Sequence, residues 1–262
     1  MSDDIDIQES DGEVDLERSA FMFFGPPKIG KSTTASGWPN CIFLCTSKKE
    51  VKRLKVPFIL VDTHKKLVDA VDYLIENRKR LKHKTIVLDF LDSMWTNCIV
   101  HVCKKLKIEH PSEAGYGKGV DMIDLEFKKV MTKLIGSSFG IVMISHFQVK
   151  DVTTMNGIVQ KISSTLPERA RKIVIPLVSV IGFIDFKTVK VKEDGKVRYK
   201  KKRIISFEPS EFLEAGDRDG FLPEEVPCFS NPKKTYEYIE SFYNGERDKK
   251  DFRKEVSRMR DE

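Results

Sequence analysis

The 262-residue sequence predicts an α/β fold with a mostly parallel sheet, extended on one side by antiparallel strands. Short apolar runs of the kind found in strands buried on both faces recur at 20–24 (AFMFF), 41–46 (CIFLCT), 57–61 (PFILV), 85–89 (TIVLD) and 140–146 (GIVMISH). Segments with apolar residues at helical spacing separate them, and strands alternating with helices imply parallel pairing through right-handed crossovers. From 179 to 207 apolar and basic residues alternate on both sides of Glu193-Asp194-Gly195, which reads as a β-hairpin added to that sheet.

Residues 1–17 hold eight acids, no base and only scattered Ile, Val and Leu. That is too little apolar surface to offset the entropy of ordering, so a disordered tail is expected there. A single core domain should then occupy 18–243. Its first strand, 20–24, ends directly at Gly25, and a short helix starts near Lys31 and stops before Pro39. A Lys-rich connection joins the second and third runs. Helical spacing of Leu67, Val68, Val71, Leu74 and Ile75 predicts a helix over 65–80, with Arg78, Lys79 and Arg80 at its negative end. Further helices are expected at about 92–107 and 119–135, with 110–118 as a loop between them. Asn156-Gly157 marks a second hairpin turn, and Pro167 is placed to open another helix. From 244 onward the chain is almost entirely charged and reads as an exposed helix or tail.

The net charge is +6, and setting aside the eight acids of the tail leaves +14 on the rest. So basic a body favours a polyanionic partner for which the tail could compete, although Lys-rich faces also serve solubility. No stretch approaches the ~20 apolar residues of a membrane span, and the amino terminus is acidic where a secretory signal would be basic and then apolar. A cytoplasmic protein that does not engage membranes is expected. The five cysteines, 41, 45, 98, 103 and 228, read as reduced thiols. On a helix the spacing of Cys98, His101 and Cys103 splays them apart, which favours core packing over metal binding.

The chemistry concentrates in Gly25, Pro26, Pro27, Lys28, Ile29, Gly30, Lys31, Ser32 and Thr33. This is a P-loop: its glycines permit a tight backbone path that aims N–H groups at phosphate oxygens, between a strand and a helix amino terminus. Lys31 would reach the β- and γ-phosphates of ATP, and the Ser32 hydroxyl would ligate Mg²⁺. An acid at the end of a neighbouring strand should complete the metal site, and Asp89 after TIVL meets that need, with Asp92 a lesser candidate. Glu50 is either the acid that orients the attacking water or a solvated side chain. His146 and Gln148, after the strand IVMIS, are placed to sense the γ-phosphate, although a histidine satisfied by local hydrogen bonds is the alternative. For a polyanion, the basic positions Lys150 and Lys161 and the strip Lys196, Arg198, Lys200, Lys201, Lys202 and Arg203 stand out, with Phe147 and Tyr199 as aromatic platforms; lysines also protect edge strands.

With GPPKIGKST, TIVLD, GYGKG (115–119), ISHFQ (144–148) and AGDRDGFLP (215–223) in this order, the chain resembles phage RecA-like ATPases associated with single-strand annealing, over roughly 18–230. That family carries an AAA label on a RecA-type core. The resemblance implies a three-layer RecA-like P-loop NTPase core that binds ATP and Mg²⁺ in the host cytoplasm. It further implies action on single-stranded DNA alongside a single-strand binding protein, and assembly into a ring or filament. Arg218 would be an arginine finger supplied to a neighbouring subunit. The chain departs from the family pattern at Thr46 and Ser47, where an acid is common directly after the second strand, and at Gly216, where a lysine is common. These departures leave slow hydrolysis or a non-hydrolysing nucleotide-gated scaffold as alternatives; a P-loop small-molecule kinase is a further one, which would need an Arg-rich lid, and the sequence shows no compact lid.

Overall fold

The computed structural model describes residues 14–155, 157–193 and 196–250, the side chains of 190–197 excepted. The expected turn residues Asn156, Asp194 and Gly195, and most of both charged tails, lie outside the described residues. The strands are β1 (Ala20–Phe24), β2 (Cys41–Cys45), β3 (Phe58–Leu60), β4 (Thr85–Asp89), β5 (Gly140–Ile144), β6 (Phe147–Thr154), β7 (Gly157–Ser164), β8 (Val180–Glu193), β9 (Lys196–Ser206), β10 (Gly216–Asp217) and β11 (Glu225–Pro227). The helices are α1 (Lys31–Ala35), α2 (Lys48–Val51), α3 (His64–Glu76), α4 (Leu91–Leu106), α5 (Lys118–Ile135), α6 (Glu168–Val174) and α7 (Pro232–Tyr243).

Among the described residues nine strands form one sheet in the order β11-β9-β8-β1-β5-β4-β2-β3, with β10 also paired to β8. From β8 to β3 every pairing is parallel, whereas β9, β10 and β11 add antiparallel edges. The strands β6 and β7 form a separate two-stranded hairpin. Because β5 lies between β1 and β4, whatever follows β5 emerges between the end of the P-loop strand and Asp89. This mixed α/β architecture is the mostly parallel P-loop sheet that the sequence predicts.

The pleat divides each central strand between two cores. Ala20 and Met22 join Leu67, Leu74, Met94, Phe127 and Leu134 beneath α3, α4 and α5. Phe21 and Phe23 face the opposite layer, where both meet Trp38 edge-on, at 5.4 and 5.2 Å between ring centroids, and Trp38 meets Tyr236 at 5.4 Å. The second layer depends on α7, which also supplies buried Ile239 and Phe242. Gly37 allows the close approach of this helix: a Cβ there would lie 2.1 Å from the Pro232 carbonyl oxygen.

Two boundaries and one helix differ from the sequence reading. The ordered chain begins before residue 18, because Leu16 is buried in the second core and Glu17 pairs with Lys84 at 2.9 Å. Helix α3 stops at Glu76, and Arg78 leaves the helical path to stack over Phe139 at 4.5 Å. Helix α7 was not anticipated, although Asn231 caps it and Pro232 occupies its first turn.

His64 opens α3 with 2% of its surface exposed, and its Nδ1 is buried without a partner among the described residues. Burial first, then the charge of His101, holds its pKa down to about 4 against an opposing pull from Glu126. The folded state therefore holds a neutral imidazole over a window in which the unfolded chain binds a proton, from about pH 6.5 down to about pH 4. Stability is lost as pH falls through that window. We predict that His64→Gln flattens this loss, read as denaturant midpoints across the window; parallel curves for variant and wild type would contradict the assignment.

Candidate nucleotide site

The P-loop connects the carboxyl end of β1 to α1. Gly30 adopts φ +100°, a left-handed conformation that side chains disfavour, and the loop closes with Ile29 N–H donating to the Pro26 carbonyl at 3.4 Å. Lys31 is 4% exposed and its ammonium donates to the carbonyls of Gly25 at 2.8 Å and Pro26 at 3.0 Å, holding the loop around itself. Burial lowers its pKa to about 8, against the attraction of Asp89 and Asp92.

Asp89 ends β4 level with Cys45 of β2 and Ile144 of β5. It is fully buried, and neither carboxylate oxygen has a hydrogen-bond partner of ordinary geometry among the described residues. Burial pushes its pKa up to about 7; the Ser32 hydroxyl lies close enough to oppose this, although no hydrogen bond of ordinary geometry joins the two. A buried carboxylate without donors is an unstable arrangement unless a cation compensates it. Ser32 and Asp89 together therefore fit a Mg²⁺ ion entering with a nucleotide, which would supply neutralisation of phosphate charge.

A cavity of about 510 Å³ opens over Ser32, lined also by Phe90, the residue after Asp89. Pro27, Lys28, Gly30, Lys31, Ser32 and Thr33 line one side and Glu50, Phe90 and His146 the other. Glu50 is half-buried on this wall rather than solvated. It belongs to a capping box at the start of α2 and accepts from Thr46 N–H and Ser47 N–H at 3.1 Å each and from the Thr46 hydroxyl at 3.2 Å. The turn of α2 thus brings a carboxylate back to the end of β2, where Thr46 and Ser47 lack one. Burial raises its pKa, partly offset by the bonds to Ser47 and Thr46.

The His146 ring packs on Phe90 at 4.4 Å between centroids, and its Nδ1 is buried without a partner among the described residues. Burial first, and Lys31 second, lower its pKa, against an opposing pull from Asp92. Lys31 Nζ lies 5.8 Å from the centre of the Phe90 ring. Asp92, in the first turn of α4, accepts from the Ser145 hydroxyl at 3.1 Å and the Thr165 hydroxyl at 2.5 Å. It joins α4 to the point where β5 ends and to the segment after β7. Gln148 is committed elsewhere, its amide donating to the Ser164 carbonyl at 2.8 Å across the β6–β7 hairpin.

Residues 18–218 match the family model AAA_24, described as an AAA domain. The chain belongs to this AAA domain family. No curated protein matches the sequence. Among solved structures, a KaiC-like protein from the hyperthermophilic archaeon Pyrococcus horikoshii OT3 is similar over 83% of this chain and 88% of that one, at 12% identity and a TM-score of 0.43.

In this AAA domain the remaining predicted positions fall away from the cleft. Arg218 lies by the amino-terminal end of β8, at the opposite edge of the sheet from the P-loop, and donates to the carbonyls of Pro176 at 2.7 Å and Val178 at 3.1 Å. Lys150 and Lys161 face each other across the β6–β7 hairpin, with Lys150 3.9 Å from Glu168. Lys200, Lys201 and Lys202 are exposed along β9. Arg203 corrects the expectation of a DNA contact: its guanidinium is turned inward and donates to the Ile29 carbonyl of the P-loop at 3.1 Å.

The sequence reading also missed the wall opposite the P-loop. Lys49, Lys52 and Arg53, on and just after α2, line the cavity, and none is paired with a carboxylate among the described residues. Their only signal was a Lys-rich connection, which a solvated loop would show equally.

Asp89→Asn removes a buried charge while keeping shape. We predict that it leaves the nucleotide-free domain at least as stable at pH 8 but removes the rise in melting temperature that MgATP gives the wild type. An unchanged MgATP shift in the variant would contradict the assignment of Asp89 to the metal.

Proposed function

We propose that this AAA domain is a Mg²⁺-dependent ATPase whose nucleotide cycle acts on single-stranded DNA in phage recombination or annealing, alongside a single-strand binding protein. The observation that carries the ATPase part is the donor-free Asp89 carboxylate beneath a cavity shared by Lys31, Ser32, Glu50 and His146. Lys31 would leave the Gly25 and Pro26 carbonyls for the β- and γ-phosphates. Glu50 keeps acceptor capacity for a water proton beyond its three bonds, so it would orient the attacking water. His146, just past the strand that runs between the P-loop strand and Asp89, would register loss of the γ-phosphate and pass it through Ser145, Asp92 and Thr165 to the β6–β7 hairpin.

Support for DNA comes from the basic residues already described on the two hairpins and from Tyr199, 73% exposed beside the β9 lysines. Assembly into a ring or filament would let Arg218 complete a neighbour's site. A second reading has its own observation: three donors from Thr46 and Ser47 hold both oxygens of the Glu50 carboxylate in the capping box, a structural engagement that favours a clamp that binds ATP and turns it over slowly.

The test is phosphate release from ATP with and without single-stranded DNA, comparing wild type with Lys31→Ala. The proposal expects DNA-stimulated release in the wild type and at least a tenfold loss in the variant. Release that ignores DNA would remove the DNA role and keep the ATPase; no release from either protein, with ATP still bound, would favour the clamp.

A further inference from the structure

Arg203 stands on β9, directly opposite Phe186 of β8, and its carbonyl accepts from Cys228 N–H at 2.9 Å. Its backbone therefore belongs to the antiparallel extension of the sheet, while its side chain crosses to the P-loop. Nη1 donates to the Ile29 carbonyl at 3.1 Å and Nη2 to the Phe229 carbonyl at 3.3 Å; Nε is buried without a hydrogen-bond partner among the described residues. Gly30 makes room for it, since a Cβ on Gly30 would lie 2.1 Å from Nη1.

We propose that Arg203 is a positioning residue that sets the phosphate-binding geometry of the P-loop from outside the cavity and in its own chain. A trans peptide is planar, so its C=O and N–H point in opposite directions. Pinning the Ile29 carbonyl outward consequently aims the Gly30 N–H inward, and Gly30 lines the cavity. A cation on that carbonyl also polarises the peptide and strengthens its N–H as a donor to phosphate. The second anchor, Phe229, follows β11, and its N–H donates to the Thr235 hydroxyl of α7 at 3.0 Å. Arg203 thereby ties the loop to rigid backbone on both sides of the edge strand.

The same arginine gives the exposed hairpin a route to the nucleotide. Side chains alternate along β9, so Arg203, Lys201 and Tyr199 share one face, with Phe186 and Thr188 directly opposite the first two. This extension rests on the proposed binding of single-stranded DNA to that strip: a polyanion drawn along Lys201 and Tyr199 would act on the P-loop through Arg203.

The positioning role is tested without DNA. Wild type, Arg203→Met, which keeps the aliphatic packing, and Arg203→Lys, which keeps charge and one donor group, are compared for binding of a fluorescent ATP analogue with Mg²⁺, for KM and kcat, and for melting temperature. Arg203→Met is expected to weaken binding about tenfold and raise KM to a similar extent, with kcat changed less, a melting temperature near wild type, and partial recovery in Arg203→Lys. Wild-type affinity and KM in Arg203→Met would overturn the proposal, as would an equal loss in both variants that follows melting temperature. In a separate arm, single-stranded DNA should change analogue affinity in wild type and not in Arg203→Met while both bind DNA equally; an equal DNA effect in both overturns the coupling. Absence of DNA binding by wild type removes the coupling and the DNA role together, and leaves the DNA-free result to stand on its own.

Discussion

Removing the Asp89 carboxylate and the Lys31 ammonium from water costs several kcal/mol per ion before any compensation, and the site depends on how the fold meets that cost. Lys31 is compensated by two backbone carbonyls of its own loop. Asp89 has no such donor, so its charge is left to Lys31, the nearby Ser32 hydroxyl and whatever enters the cavity. A folded protein retains an arrangement of this kind where a ligand completes it. Mg²⁺ with a triphosphate is the ligand whose charge and size suit a lysine, a hydroxyl and a carboxylate around a cavity of about 510 Å³.

Sheet topology turns that pair of charges into a site. With β5 between β1 and β4, the chain leaving β5 passes between the P-loop strand and Asp89, which brings His146 to the cavity and Ser145 to Asp92. The β6–β7 hairpin departs immediately afterwards. On the other side of β1, the β8–β9 pair carries Arg203 to the back of the P-loop. Two exposed hairpins therefore each begin one short contact away from the nucleotide site.

Strands 20–24, 41–46, 85–89 and 140–146 were legible because burial on both faces leaves an uninterrupted apolar run, and α4 and α5 because their stripes are long. The P-loop was legible because its geometry needs particular residues at fixed spacing. Helix α7 was not, although Tyr236, Ile239 and Phe242 share a stripe, because it is short and runs into the densely charged segment that follows it. Glu50 could be placed only once the capping box was seen to fold it back onto Thr46 and Ser47. Arg203 reads in sequence as one more base in a run of four, and only the crossing of β9 behind the P-loop distinguishes it from Lys200, Lys201 and Lys202.

Calorimetric titration of the wild-type domain with ATP, in Mg²⁺ and again with the metal chelated, tests the central claim most directly. If the donor-free Asp89 carboxylate awaits a cation brought by the nucleotide, Mg²⁺ strengthens binding by at least tenfold, or about 1.4 kcal/mol. Equal affinity with and without the metal would mean that Asp89 is not a metal ligand, and the account of the site built on it would fail.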